Sequence, residues 1–187
     1  MHSLAIYKGS FTTKRTILCF LLMSILIFGP GCSYAAYVDY YTDTAAYSEI
    51  WDLPGMLREP LSDQTLFPCS IHELDVLTYF CRYDQQFPLG EGIQVFLKIR
   101  YDDDFSFLAE KKRIESVSYD CDAYFDTEEY SWHAVSLAES DFFEYAAVSR
   151  NKPIICYVYL QSLPIGEIEI DQRLIPRGYT DYGEMNP

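Results

Sequence analysis

Cys69-Ser-Ile-His72 places a thiol three residues before an imidazole. That pair could serve as nucleophile and base. Joined by Cys81 and Cys121, it could also complete a zinc tetrahedron, although the paired Cys-x-x-Cys knuckles of structural zinc sites are absent. Cys81 and Cys156 lie in apolar, strand-like segments, where small buried thiols are ordinary. In an oxidising compartment Cys69, Cys81, Cys121 and Cys156 allow two disulfides in three connectivities, and sequence does not choose among them. His133 follows Trp132 inside a strand-like run and reads as a packed or edge residue. Asp102-Asp103-Asp104 could bind calcium, but Phe105-Ser106-Phe107 breaks the alternation of ligands that a calcium loop needs. The three aspartates suit a helix N-terminus better. No phosphate-binding loop, dinucleotide fingerprint, Gly-x-Ser-x-Gly elbow or His-Glu-x-x-His is present. No catalytic residue, cofactor or metal is therefore assigned.

The N-terminal segment bears on where such residues would work. Lys8, Lys14 and Arg15 precede the uncharged run Ile17 to Phe28, and no Asp or Glu occurs before Asp39. A helix of twelve residues spans about 18 Å, short of the ~30 Å hydrocarbon core. Gly29-Pro30-Gly31 then interrupts it. A basic start, a short apolar run and small residues after it make a signal peptide over residues 1–31. Gly31-Cys32 resembles in part the end of a bacterial lipobox, which implies Cys32 as a lipid attachment site and anchoring to a membrane by acyl chains. Ser33-Tyr34-Ala35 offers the alternative of ordinary cleavage and free secretion.

The remainder is 156 residues, enough for one domain. The first 31 residues hold three of the 14 Lys and Arg and none of the 28 Asp and Glu, so the rest carries 11 positive against 28 negative charges, a net −17. That balance excludes nucleic acid as a partner, because phosphate binding needs a basic surface. Aromatic residues make up 17% of the chain, 17 of them Tyr. Tyr spread through strand-like segments fits half-exposed strands; gathered on one face it would suit a glycan or peptide.

Residues 32–66 read as a tether or lead-in, with a possible short strand at Tyr37–Tyr41 and a brief helix from Thr44 to Trp51. A compact domain is expected over 67–176. Val76–Asp84 has strand composition, and Ser70–Glu73 fits a capping box before it. Ile93, Val95, Leu97 and Ile99 alternate with Gln94, Lys98 and Arg100, the pattern of a half-buried strand. A helix follows from Asp102–Asp104 to Val117, with Phe107, Leu108, Ile114 and Val117 as its apolar stripe. Residues 118–130 read as an acidic loop. Strands resume at Ser131–Ala138, Phe142–Ser149 and Ile154–Gln161, and 177–187 reads as a polar tail. The order β-β-α-β-β-β predicts an α+β domain, an antiparallel sheet of about five strands with one helix on one face.

Leu66-Phe67-Pro68, Lys98-Ile99-Arg100-Tyr101, Phe143-Glu144-Tyr145-Ala146, Ile155-Cys156-Tyr157-Val158-Tyr159-Leu160 and Leu174-Ile175-Pro176-Arg177-Gly178-Tyr179 are similar to a group of small exported, lipoprotein-like proteins of clostridia-type bacteria. The resemblance covers about two thirds of the chain. It implies a fold and a bacterial source and assigns no activity. The expectation is an exported, lipid-anchored, non-enzymatic module that binds a protein or glycan ligand at the envelope. A small secreted hydrolase using Cys69 and His72, or a metal-binding domain, are the alternatives.

Overall fold

The computed structural model describes residues 36–52, 66–86, 90–137, 142–163 and 165–179. The signal segment, Cys32 and the end of the polar tail lie outside these residues. Among the described residues seven strands form one antiparallel sheet: β1 (Ala36–Tyr41), β2 (Asp75–Gln86), β3 (Gly90–Arg100), β4 (Tyr119–Asp120), β5 (Tyr130–Ser136), β6 (Phe142–Ser149) and β7 (Ile154–Gln161). Their spatial order is β1-β2-β3-β7-β6-β5-β4. The one α-helix among the described residues, α1 (Asp104–Val117), leaves the central strand β3 and carries the chain to the far edge at β4. The chain then returns through β5 and β6 to β7, which pairs with β3. The expected α+β class is what forms. Its five expected strands are β2, β3, β5, β6 and β7, with β1 and the two-residue β4 added at the edges.

Alternation sets the faces. Ile93, Val95, Leu97 and Ile99 are fully buried on one face, with Tyr79, Cys81, Ile155 and Tyr157 beside them. Phe80, Phe96, Cys156, Val158 and Leu160 point to the other. Covering both faces explains why β6 and β7 are apolar almost throughout instead of strictly alternating.

On the first face lies α1. Asp103 caps it, accepting from Ser106 N at 2.8 Å. Ile114 is buried, and Phe107 and Val117 pack against the same cluster. Leu108, expected in that stripe, is instead 52% exposed. The inward row is 107, 110, 114 and 117, so Glu110 takes the fourth place and Leu108 lies round the helix from it. The last turn carries no basic residue, so charge complements the dipole only at the N-terminal end.

The lead-in also belongs to this body. Residues 36–41 pair with β2 as an edge strand, and Tyr47 and Ile50, in a 3₁₀ stretch over Thr44–Asp52, are buried in the helix-side core. Tyr47 Oη donates to Pro68 O at 2.6 Å, which ties this stretch to the chain entering β2. A tether over 32–66 therefore does not describe residues 36–52. The capping-box segment Ser70–Glu73 forms a turn, not a helix.

Opposite α1, a strap of residues 165–179 and the segment 121–127 cover the second face. Phe125 stacks on Trp132 with ring centroids 3.6 Å apart. Tyr145 Oη donates to Leu174 O at 2.7 Å, and Tyr179 Oη donates to Leu163 O at 2.8 Å. These bonds fasten an irregular strap over the sheet. Tyr179 is buried, so packing continues past the expected boundary at 176. Gly92 lies close against Leu163: a Cβ there would stand 2.8 Å from Leu163 Cδ2, and the leucine side chain would have to shift. Tyr79, Tyr83, Tyr145, Tyr157 and Tyr159 are buried and serve as core, whereas Tyr41 and Tyr130 are partly buried and Tyr119 is exposed, as expected of half-exposed strands.

Candidate functional site

The cysteines do not assemble the chemistry their spacing allowed. Cys69 and His72 both border a cleft of about 540 Å³ beside the Thr44–Asp52 stretch, with Tyr47, Ser48 and Leu74. No Asp or Glu is among its described lining residues, so nothing there orients His72 as a base. Cys81 is buried on the helix side and Cys121 on the strap side, so the zinc tetrahedron cannot close. No group of three or more metal-ligating side chains forms among the described residues.

Sheet register also separates the thiols. Cys121 lies opposite Trp132, Trp132 opposite Ala147, and Ala147 opposite Cys156. Three strand spacings put Cys121 and Cys156 about 14 Å apart, far beyond disulfide reach. Cys81 and Cys156 face opposite sides of the sheet. Cys81, Cys121 and Cys156 are thus three separate buried thiols, while Cys69 is exposed. Burial pushes the Cys81 thiol up to about 12, with Asp39 adding to the rise, and the Cys156 thiol up to about 11 against the pull of Lys98. Burial raises Cys121 as well, helped by Asp120 and Asp122. Protonated, buried thiols are neither nucleophiles nor metal ligands.

The helix side holds a polar network. Tyr101 Oη and Tyr157 Oη are 3.1 Å apart, and Tyr157 donates to Glu110 Oε1 at 2.7 Å. Glu110 is paired through both oxygens with Arg113, at 2.7 and 2.9 Å. Arg113 also donates to Leu66 O, and Leu66 N donates to Glu144 Oε1 at 2.8 Å. Burial drives both tyrosine hydroxyls far above their ordinary range. Arg113 is raised too, its burial outweighed by the bond and charge of Glu110. The network links α1, β6, β7 and the chain before β2. It is a structural fastening, with each described member satisfied from within.

On the strap side a smaller cleft of about 240 Å³ opens above β2, β3 and β7. Thr78, Lys98 and Cys156 stand in one cross-strand row, and Phe80 and Phe96 in the next. The two phenyl rings are 5.6 Å apart between centroids. Thr127, Glu129 and Tyr130 form one wall, and the strap from Glu169 to Leu174 the other. Arg173 is held by Asp171 at 2.6 Å, and Glu169 lies 3.3 Å from Arg82. Lys98 and Glu129 have no ion-pair partner among the described residues.

Sequence reading placed Lys98 correctly on the face away from Leu97. It did not single out Lys98, because the cleft comes from a row across three strands and a strap more than 70 residues away along the chain. No family model matches the chain, and no curated protein or solved structure matches it. What fold and clefts define is an α+β protein whose single sheet is covered on both faces. No helix among the described residues is long and apolar enough to cross a membrane.

Proposed function

We infer that the chain is an exported, lipid-anchored binding module of a bacterial envelope, not an enzyme. The observation that carries this reading is the run Ile17 to Phe28 between Lys14-Arg15 and Gly29-Pro30-Gly31-Cys32. It is too short to stay across a bilayer and is followed by a thiol suited to acylation. The non-enzymatic part rests on the disposition of reactive groups. Three thiols are buried and protonated, and Cys69 with His72 lacks a described carboxylate to orient it. The net −17 of residues 32–187 favours an uncharged or amphoteric ligand over a polyanion.

The test is fractionation of cells expressing the chain, with mass spectrometry of its N-terminus. The expected result is a membrane-associated protein that begins at an acylated Cys32, and a Cys32→Ser variant released from membranes. Cleavage after Ala35 would replace anchoring with free secretion, a reading that Ser33-Tyr34-Ala35 supports. Full-length chain recovered in the cytosol would overturn export altogether.

A further inference from the structure

We propose that the strap-side cleft binds an apolar zwitterion: a free amino acid with a hydrophobic side chain, or a very short peptide. The argument starts from how the cations of this acidic chain are used. Each arginine among the described residues is in an ion pair: Arg82 with Asp84, Arg100 with Asp75, Arg113 with Glu110, Arg150 with Asp122, Arg173 with Asp171 and Arg177 with Asp126. Lys111 lies 3.8 Å from Glu115. Lys112 and Lys152 are exposed. Lys98 alone is partly buried, borders a cavity, and makes no ion pair with any described residue.

The carboxylates of the same cleft sort likewise. Asp171 is taken by Arg173, with Lys98 acting on it electrostatically but forming no ion pair, and Glu169 is taken by Arg82. Glu129 is left over; it is within electrostatic reach of Arg173, but that guanidinium is already bound twice by Asp171. After internal pairing, the cleft therefore presents one ammonium and one carboxylate. Both act on the Cys156 thiol in the same cleft, Lys98 lowering its pKa and Glu129 raising it, while burial sets the larger rise. Were the two in direct contact they would neutralise each other, and they are not in contact.

Between these charges the floor is apolar, with Phe80 and Phe96 side by side and Ile170 and Leu174 on the strap. A ligand that satisfies all three parts carries a carboxylate for Lys98, an ammonium for Glu129 and a hydrophobic body for the rings. The volume of about 240 Å³ lies below the ~300–1,000 Å³ of drug-sized sites, which limits the occupant to amino-acid or dipeptide size. This assignment deepens the binding-module reading and names the ligand class that such a module would hold.

Calorimetric titration of the protein purified from cells expressing the full chain tests it. L-phenylalanine and Ala-Phe would be the zwitterionic probes, with phenylacetate and phenethylamine as single-charge controls. The expected result is saturable binding of a zwitterion, with affinity lowered about tenfold or more in Lys98→Met and in Glu129→Gln, as loss of a charge-assisted contact requires. The same loss is expected for each single-charge control against the native protein. Preference for L-phenylalanine or for Ala-Phe decides between free amino acid and peptide. Absence of binding by both, equal binding of phenylacetate, or unchanged affinity in both variants would overturn the proposal. Circular dichroism melting of each variant separates lost affinity from lost fold. A null titration of a protein that begins at acylated Cys32 would remove the ligand assignment and leave export standing.

Discussion

On the helix side of the sheet, Tyr157 donates to Glu110, Glu110 holds Arg113, and Arg113 reaches the carbonyl of Leu66. On the strap side, Lys98 ends in a cleft with no ion-pair partner among the described residues. The two faces share β2, β3 and β7, so the difference lies in what covers them. A helix lying on a sheet presents residues at fixed positions, and the row 107, 110, 114 and 117 delivers one long carboxylate to the tyrosines beneath. The strap is built of 3₁₀ turns and extended chain. It is fastened where the Leu174 carbonyl accepts from Tyr145 of the sheet and where Tyr179 donates back to the Leu163 carbonyl, just past β7. The helix itself closes over the sheet, whereas irregular cover fastens at points and leaves space, under the strap and also beside the Thr44–Asp52 stretch on the helix side.

Neighbouring residues on β3 give the sharpest test of that contrast. Leu97 is fully buried under α1, while Lys98 points into the cleft. Leu97→Asp buries an unpaired carboxylate and should cost about 4 kcal/mol or more, enough to unfold a marginal domain. Lys98→Met, one residue along, should change stability by less than about 0.5 kcal/mol, because it removes no described ion pair. Thermal melting of both variants measures the difference. A Leu97→Asp protein that melts with the native one would reject the assignment of faces.

A smaller effect tests whether the helix-side network acts as a unit. Tyr157→Phe removes the donor to Glu110 and the partner of Tyr101, and should cost about 1–2 kcal/mol. Tyr145→Phe loses one bond to the strap and should cost about 1 kcal/mol. Double-mutant cycles by urea unfolding separate the two. Tyr157→Phe should couple with Arg113→Met by about 0.5 kcal/mol or more, and should add independently to Tyr145→Phe across the sheet. Additivity in both cycles would mean that the network is only a chain of separate contacts.

The sheet was legible because its signals are local. The alternation from Ile93 to Ile99 and the apolar runs Phe142–Ser149 and Ile154–Gln161 each fix a strand without reference to distant residues. The helix was legible in extent and cap, but its phase was not. Leu108 looked like core, and only the position of Tyr157 explains why Glu110 faces inward. The strap was missed for a related reason. Its segments are 3₁₀ turns and irregular chain, but Ile170, Leu174 and Tyr179 are held against the second face, with bonds from β6 to Leu174 and from Tyr179 to Leu163 just past β7. Candidate site residues failed in the same manner. The Cys69 and His72 spacing was real, and both do border one cleft, while Cys81 and Cys121 were divided by a sheet whose sides depend on parity along each strand.

The smallest expected effect concerns His133, at the edge where β5 meets β4 and α1. Its Nε2 is buried with no hydrogen-bond partner among the described residues. Burial lowers its pKa below the ordinary 6.5 and outweighs the opposing pull of Glu115, Asp120 and Asp122, with Lys111 adding to the depression. The unfolded chain therefore binds this proton more readily than the folded one. Between the folded pKa and about 6.5 stability rises with pH, so the contribution is complete above 6.5 and lost on acidification toward the folded value. Urea unfolding from pH 5 to 8 should show native stability falling on the acid side more steeply than that of His133→Gln. The gap should be smaller than the cost of Tyr157→Phe, because the three carboxylates soften the penalty once the ring is charged. Superimposable pH profiles for the two proteins would mean that water reaches Nε2 at this edge, and the helix side would then be less tightly closed there than around Tyr157.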